Sequence, residues 1–378
     1  MPATAHDLSS ILIELGAAIV GLALLARLAR RWSISAIPLY LVAGLCFGNG
    51  GIAPLNLSEN FISVGAEIGV LLLLFMLGLE YSGEELKTNL RAGLPSGLVD
   101  LLLNFPPGLI AGLLMGWRPI FAVLLGGVTY ISSSGVIAKV LVELKRMDNP
   151  ETPRILSILV LEDLAMAVYL PLVGVLLAGG GPQRIAISVA IAILAVFAVL
   201  YIAVRYGPVL SQFAEHESDE IVLLSTLGAV ILVAGVAQNF KVSGAIGAFL
   251  VGIALSGPIA HQSERLISPL RDLFAATFFF FFGLEIDPAT LKPALPIALL
   301  LAVATAITKI LTGYISTRNL RIDRSARLRT EMSLVARGEF SIVIAGLGVA
   351  AEPRLGPLSA AYVLILAIVG PVLAKLIR

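Results

Sequence analysis

The chain has 378 residues, 58% of them hydrophobic and 13% charged, and a mean hydropathy of +0.97. Because soluble domains carry about one quarter charged residues, this composition indicates an integral membrane protein. The formal net charge of +1 gives no basis for nucleic-acid binding, and one cysteine with three histidines provides neither a disulfide nor a credible metal site.

Apolar segments in chain order indicate about 13 transmembrane helices, since a hydrocarbon core needs about 20 apolar residues per helix. They lie near residues 9–27, 33–48, 60–79, 92–116, 119–143, 153–178, 184–204, 219–239, 243–256, 268–285, 293–316, 328–349 and 358–376. The ninth is short and the tenth contains Arg271 and Asp272, so twelve or fourteen spans stay open. The sequence predicts an all-α polytopic membrane protein, with residues 1–378 forming one transmembrane domain that lacks a soluble regulatory domain.

Basic residues are unevenly divided between the loops on the two sides of this topology. One alternating set of loops holds most of them, whereas the opposite set holds only Arg118, Arg184, Lys241, Lys292 and Arg354. Because basic loops favour the cytoplasm, we expect an N-terminus outside and a C-terminus in the cytoplasm. The expected location is the cell inner (plasma) membrane.

Two stretches fit poorly in an uninterrupted helix: TYISSSG (129–135) in the fifth span and ARGEFS (336–341) in the twelfth. If spans one to six are matched with spans eight to thirteen, the fifth span matches the twelfth, so the two breaks correspond. The single linking helix between the two units gives the second unit the opposite orientation in the membrane. Inverted repeats of this kind are typical of secondary transporters. We expect repeats at about 9–178 and 219–376, linked by helix 184–204.

Ionisable side chains inside membrane spans are rare and mark candidate functional positions. They are Asp100, Glu162, Asp163, Lys309, Arg337 and Glu339. Arg337 and Glu339 are expected to compensate the partial charges of helix ends exposed at the break. The hydroxyls of Thr129, Ser132, Ser133 and Ser134 can replace a cation's water shell, although serines also serve helix packing.

The adjacent carboxylates Glu162 and Asp163 lie in the otherwise apolar run LVLEDLAMAVYL. Successive helical residues point about 100° apart, so one carboxylate can face a cavity while the other meets a different partner. A desolvated carboxyl of this kind can exchange a proton for a cation. The alternative is a structural ion pair with Lys309, which could also balance the charge of the empty site or cycle a proton itself. Asp100 is expected to be structural or at a crevice edge, outside the site.

Six stretches together match a known family. They are LLLLFMLGLEYS (71–82), TYISSSGVIAKVLVELKRMDNPET (129–152), LVLEDLAMAVYL (159–170), SGAIGAFLVGIALS (243–256), LRDLFAATFFFFFGLEIDP (270–288) and ARGEFSIVIAGLG (336–348). On these motifs the sequence resembles the monovalent cation:proton antiporter-2 family, most closely its Kef-like and KhtU-like bacterial potassium/proton antiporters.

The resemblance implies a homodimer with a mobile core domain, two crossed broken helices and elevator-like alternating access. It implies that Asp163 is the carboxylate that binds cation and proton, and that Glu162 occupies a position that varies among relatives. Ser132–Ser134 match the first helix crossing, and Gly338–Phe340 match the second. Lys309 matches a lysine of sodium/proton relatives that the potassium-type relatives do not all share.

The predicted function is therefore secondary antiport rather than enzymatic catalysis, with K+ as the first candidate cation, Na+ as the near alternative and H+ as the counter-ion. A cation channel and an organic-anion symporter are rival classes. One proton per cation is expected if Glu162 stays paired with Lys309, and electrogenic exchange if Lys309 cycles its proton. We expect no covalent cofactor, a role in pH homeostasis, contact with membrane lipids, and a separate cytoplasmic nucleotide-binding or TrkA-C-like regulatory subunit.

Overall fold

The computed structural model describes residues 5–31, 36–48, 50–52, 59–79, 83–179, 216–239, 244–255, 258–284 and 286–377, with four single positions between 183 and 194. The predicted linking helix at 184–204 lies almost wholly outside the described residues.

The described chain is helical, which confirms the all-α prediction. Its helices are α1 (Ala5–Arg31), α2 (Ile37–Phe47), α3 (Glu59–Leu79), α4 (Gly83–Leu114), α5 (Pro119–Tyr130), α6 (Ser134–Glu143), α7 (Thr152–Ala178), α8 (Asp219–Asn239), α9 (Gly244–Ala254), α10 (Pro258–Leu284), α11 (Pro288–Thr317), α12 (Arg324–Ser333), α13 (Glu339–Gly346) and α14 (Leu355–Leu376). Within this part of the chain, 6 helices are long and apolar enough to cross a membrane. The count of thirteen spans stays a prediction.

Local sequence signals set several helix starts. Asp287 caps α11 by accepting a hydrogen bond from the backbone N–H of Ala289 at 2.8 Å, and Pro288 follows at the first helical position. Asp323 caps α12 in the same way through Ala326 at 2.7 Å. Helix α10 begins at Pro258, before the tenth predicted span at 268–285, and its first turns carry exposed polar side chains.

The central helices are buried and the outer ones expose apolar side chains. Leu124 on α5 and Ile344 on α13 are fully buried, as expected for short helices that are apolar all round. Leu102 on α4, Leu232 on α8 and Leu300 on α11 are each about two-thirds or more exposed. Exposed leucines on membrane-length helices indicate a surface that faces lipid.

Glycines allow two pairs of helices to approach closely. A Cβ added at Gly44 of α2 would lie 2.2 Å from the carbonyl oxygen of Phe280 and 2.7 Å from Cα of Gly283, both on α10. A Cβ added at Gly252 of α9 would lie 2.3 Å from the carbonyl oxygen of Phe75 and 2.7 Å from Cα of Gly78, both on α3. Small residues at such contacts are typical of packing between transmembrane helices.

Two interruptions fall inside predicted spans. Helix α5 ends at Tyr130, and α6 begins at Ser134. Helix α12 ends at Ser333, and α13 begins at Glu339, so the second interruption covers 334–338 rather than the expected 336–341. The short segments between these helices bring backbone carbonyl and N–H groups into the buried centre of the protein.

Candidate functional site

The two interrupted segments contact each other directly. The backbone N–H of Ser133 donates to the carbonyl oxygen of Ala336 at 3.0 Å, and the hydroxyl of Ser341 donates to the carbonyl oxygen of Val128 at 2.9 Å. Gly338 permits this approach, because a Cβ there would lie 2.4 Å from Oγ of Ser133. Side chains from both segments therefore meet in one buried region.

Arg337 bonds to the C-terminal ends of two of the interrupted helices. Its guanidinium is fully buried and donates to the carbonyl oxygens of Thr129 at 3.0 Å and Leu334 at 3.2 Å. Nε also donates to Oη of Tyr362 at 3.1 Å. Each helix C-terminus carries about half a negative charge, so one guanidinium at both ends has a favourable position. Compensation of helix ends, the role expected from the sequence, stays a prediction for Arg337.

Lys309 on α11 bonds to two buried carboxylates. Its Nζ lies 2.7 Å from Oδ1 and 3.0 Å from Oδ2 of Asp100, and 2.8 Å from Oε1 of Glu162. The side chains of the three residues are at most 1% exposed. The ring of Tyr130 lies 5.7 Å from the same nitrogen. The ion pair between Glu162 and Lys309, one of the alternatives from the sequence, is thus present.

Asp100, which the sequence placed outside the predicted site as structural or at a crevice edge, bonds to Lys309 in this buried cluster. Its carboxylate is fully buried, so it does not lie at a crevice edge. The amide of Asn104, one turn later on α4, donates to Asp100 Oδ1 at 2.9 Å. The available sequence signal was this pair of polar residues, four positions apart, in an apolar stretch.

Glu162 and Asp163 accept hydrogen bonds from different serines. Glu162 accepts from the backbone N–H of Ser132 and from the Ser132 hydroxyl at 3.0 Å. Asp163, 2% exposed, accepts from the hydroxyl of Ser134 at 2.9 Å. Glu162 therefore bonds to the segment between α5 and α6, and Asp163 bonds to the first residue of α6, as the angle between successive helical residues allows.

Other predicted site residues have different surroundings. The hydroxyl of Thr129 donates to the carbonyl oxygen of Asn104 at 3.0 Å and accepts from the N–H of Gly108 at 3.2 Å, so it joins α5 to α4. The hydroxyl of Ser133 accepts from the N–H of Val136 at 3.2 Å at the start of α6. The side chain of Glu339 lies outside the described part of the chain.

Another ion pair lies at the N-terminal end of α7. Nε of Arg329 is 2.5 Å from Oε1 of Glu151. Burial raises the pKa of Glu151, but hydrogen bonds from Arg329 and Asn149 outweigh it, so the pKa lies below its ordinary value. Nearby, Nη1 of Arg146 donates to the carbonyl oxygen of Ala374 at 2.9 Å, near the end of α14.

Comparison with known proteins finds a family and relatives for this chain. The sequence matches the family described as sodium/hydrogen exchanger, transmembrane, over residues 17–376. It is 36% identical to the K(+)/H(+) antiporter subunit KhtU of Bacillus subtilis, over 97% of this chain and 93% of that protein. It is 30% identical to the ammonium/H(+) antiporter subunit AmhT of Alkalihalophilus pseudofirmus, over 90% of this chain and 86% of that protein.

A solved structure shares the fold. The structure of the sodium proton antiporter MjNhaP1 from Methanocaldococcus jannaschii superposes with a TM-score of 0.69 at 18% identity, and the match covers 98% of this chain and 96% of that one. The interrupted helices and the buried charge cluster described above thus lie within a fold that is already known in a transporter.

Proposed function

The chain belongs to the sodium/hydrogen exchanger family of multi-pass membrane cation/proton antiporters, and from this premise we propose that it exchanges K+ for H+ at Asp163. The choice of K+ follows the 36% identical relative, which is named for K+ and H+. Na+ is the second candidate, because Lys309 matches a lysine that the resemblance assigns to sodium/proton relatives.

The charge of the described side chains at the interrupted helices carries the proposal. Three carboxylates, Asp100, Glu162 and Asp163, lie with two cationic groups, Lys309 and Arg337. With all five ionised, this group has one excess negative charge. One proton or one monovalent cation brings the sum to zero.

Asp163 is the best candidate for the carboxylate at which a proton and a cation replace each other. Lys309 bonds to the other two carboxylates, and Asp163 accepts a hydrogen bond from the hydroxyl of Ser134. A hydroxyl donates to a carboxylate and can instead turn its oxygen toward a cation, so Ser134 suits both loaded states. Carboxylate and hydroxyl oxygens accept K+ or Na+.

Coupling follows from the cost of a buried charge. Moving a bare charge through a low-dielectric interior costs several kcal/mol, whereas a site neutralised by a proton or a cation avoids that cost. The loaded site then crosses between the two sides and the empty site does not. Each cation that moves one way must be followed by a proton that moves the other way, without ATP.

Alternating access by an elevator-like motion of inverted repeats, with crossed broken helices, is the proposed transport mode. Paired helix contacts support it. Helices α2 and α10 meet at Gly44 and Gly283, and α9 and α3 meet at Gly252 and Gly78. In the predicted repeat, α2 corresponds to α9 and α3 corresponds to α10. The contact of α2 with α10 is therefore the counterpart of the contact of α9 with α3. Gly78 and Gly283 are also each followed by Leu-Glu.

The proposed assembly is a homodimer in the plasma membrane, with the N-terminus outside and the C-terminus in the cytoplasm. A separate regulatory subunit belongs to the proposal, and it is supported by two relatives that are each named as an antiporter subunit.

The function is tested by proton flux in proteoliposomes under inward K+, Na+ or choline gradients. We expect K+ to drive proton efflux and choline to drive none. Asp163→Asn should abolish the flux, while the matched control Asp219→Asn, which changes an exposed carboxylate on α8, should retain it. Equal flux in Asp163→Asn and the unmodified protein would refute the site assignment.

A further inference from the structure

The ammonium group of Lys309 uses all of its donors on carboxylate oxygens. A protonated lysine has three N–H bonds, and three acceptors lie within hydrogen-bond distance: Oδ1 and Oδ2 of Asp100 at 2.7 and 3.0 Å, and Oε1 of Glu162 at 2.8 Å. A neutral amine has two N–H bonds and a lone pair. It would lose one of these three hydrogen bonds and direct its lone pair toward a carboxylate oxygen.

Loss of that proton would also leave two buried carboxylates without their shared cation. Both carboxylates are at most 1% exposed, so water cannot replace the ammonium group. An uncompensated buried charge costs several kcal/mol. Among the described residues, the amide of Asn104 and the hydroxyl of Ser132 donate to these two carboxylates, and the ring of Tyr130 lies beside Lys309. The guanidinium of Arg337 donates to helix carbonyls and to Tyr362.

Asp100 is fixed in place by a hydrogen-bond network between α4 and α11. Nδ2 of Asn104 donates to Oδ1 of Asp100 at 2.9 Å and to Oγ1 of Thr312 at 3.0 Å. Oγ1 of Thr308 donates to Oδ1 of Asn104 at 2.7 Å and thereby sets the orientation of the amide. The Asp100 carboxylate therefore has a defined position opposite Lys309.

From this geometry we infer that Asp100 is a positioning residue that keeps Lys309 protonated throughout the cycle, so that exchange is electroneutral with one proton per cation. The inference rests on the proposed exchange at Asp163 and adds its stoichiometry. Because Lys309 keeps its proton, the proton and the cation replace each other at Asp163 alone. A proton and a monovalent cation carry the same charge, so both loaded states cross the membrane with equal charge.

The test is the null point of proton flux, the pH difference at which an imposed K+ gradient drives no net flux in proteoliposomes. A thiocyanate gradient sets the membrane potential, since valinomycin itself carries K+. For one-to-one exchange, a roughly tenfold K+ gradient balances about one pH unit at any potential. For two protons per cation, the null point moves by about half a pH unit for each ~59 mV of membrane potential.

Variants of Asp100 separate positioning from general stability. Asp100→Asn removes one of the two carboxylates that hold the Lys309 proton, so we expect a null point that shifts with potential. Asp100→Glu should keep the unshifted null point. Thr308→Val, which removes the hydroxyl that orients Asn104, should give a smaller shift in the same direction and serves if Asp100→Asn does not insert.

The outcomes are distinguishable. No cation-driven flux in the unmodified protein would refute the proposed function itself. Flux with a null point that depends on potential would leave antiport standing and overturn electroneutrality. If membrane potential does not shift the null point of Asp100→Asn, the role of Asp100 is overturned. Where Asp100→Asn does not insert, the same result in Thr308→Val overturns it. A voltage-independent unmodified protein with a voltage-dependent variant supports the inference in full.

Discussion

Adjacent residues on one helix differ in chemistry because they meet different donors. Glu162 bonds to Lys309 and to Ser132, whereas Asp163 bonds to the hydroxyl of Ser134. Arg337, on the facing segment, bonds to carbonyl oxygens at two helix ends. At the residue scale, these contacts support the proposal that Asp163 is the carboxylate at which exchange takes place.

Replacing Arg337 with Gln should destabilise the protein by about 3 kcal/mol or more, because several buried carbonyl groups lose a charged donor. Arg337→Lys should be intermediate, since it keeps the charge but lacks the planar fork of donors. Thermal unfolding in detergent measures both changes.

The control for Arg337 is Arg354→Gln. Arg354 is exposed and pairs with Glu352 at 2.7 Å, and surface pairs of this kind contribute about 0–1 kcal/mol. Equal unfolding temperatures for Arg337→Gln and Arg354→Gln would contradict the role assigned to the buried guanidinium.

The ion pair of Glu151 with Arg329 should give stability that depends on pH. The pKa of Glu151 is lowered in the folded protein, so its contribution is present above the ordinary glutamate pKa and is lost as the pH falls through the folded value. Glu151→Gln should lower the unfolding temperature at pH 7, and the difference from the unmodified protein should shrink in acid. A difference of constant size from pH 7 to acid would argue against this ion pair.

At the scale of helices, the sequence predicted both interruptions but misplaced the second. Small and polar residues mark the first one, whereas Leu334 and Val335 continue an apolar pattern that is typical of helix. Their carbonyl oxygens accept hydrogen bonds from Arg337 at 3.2 and 3.3 Å. A contact made by the side chain of a neighbouring loop residue is not visible in hydrophobic periodicity.

The close helix contacts predict a sharp difference between glycines. Gly44→Ala and Gly252→Ala should each destabilise the protein by about 1–3 kcal/mol, because the added Cβ would overlap backbone atoms of the facing helix. In the control Gly174→Ala on α7, no described residue outside that stretch of helix has an atom within 4 Å of the added Cβ, so that change should be neutral or stabilising by about 0.5–1 kcal/mol.

Thermal unfolding of the three glycine variants checks this contrast. If Gly252→Ala were as stable as Gly174→Ala, the close contact of α9 with α3 would be wrong, and with it one support for the repeat.

For the whole molecule, composition and hydrophobic patterning were sufficient for the membrane class and for most helix positions, since both depend on local sequence. The pairing of Lys309 with Asp100 was not predictable in the same way. The two residues are 209 positions apart, and only the packing of α11 against α4 brings them to 2.7 Å. Glu162 and Asp163 were identified because charges in an apolar span are costly wherever they fold.

The central claim is that K+ and H+ compete for Asp163, and proton release from purified protein tests it most directly. K+ added to the protein in weakly buffered detergent solution should release protons with a saturable dependence on K+ concentration, and choline should release none. Asp163→Asn should abolish the release, while Asp219→Asn should preserve it. Proton release of unchanged size in Asp163→Asn would contradict the account.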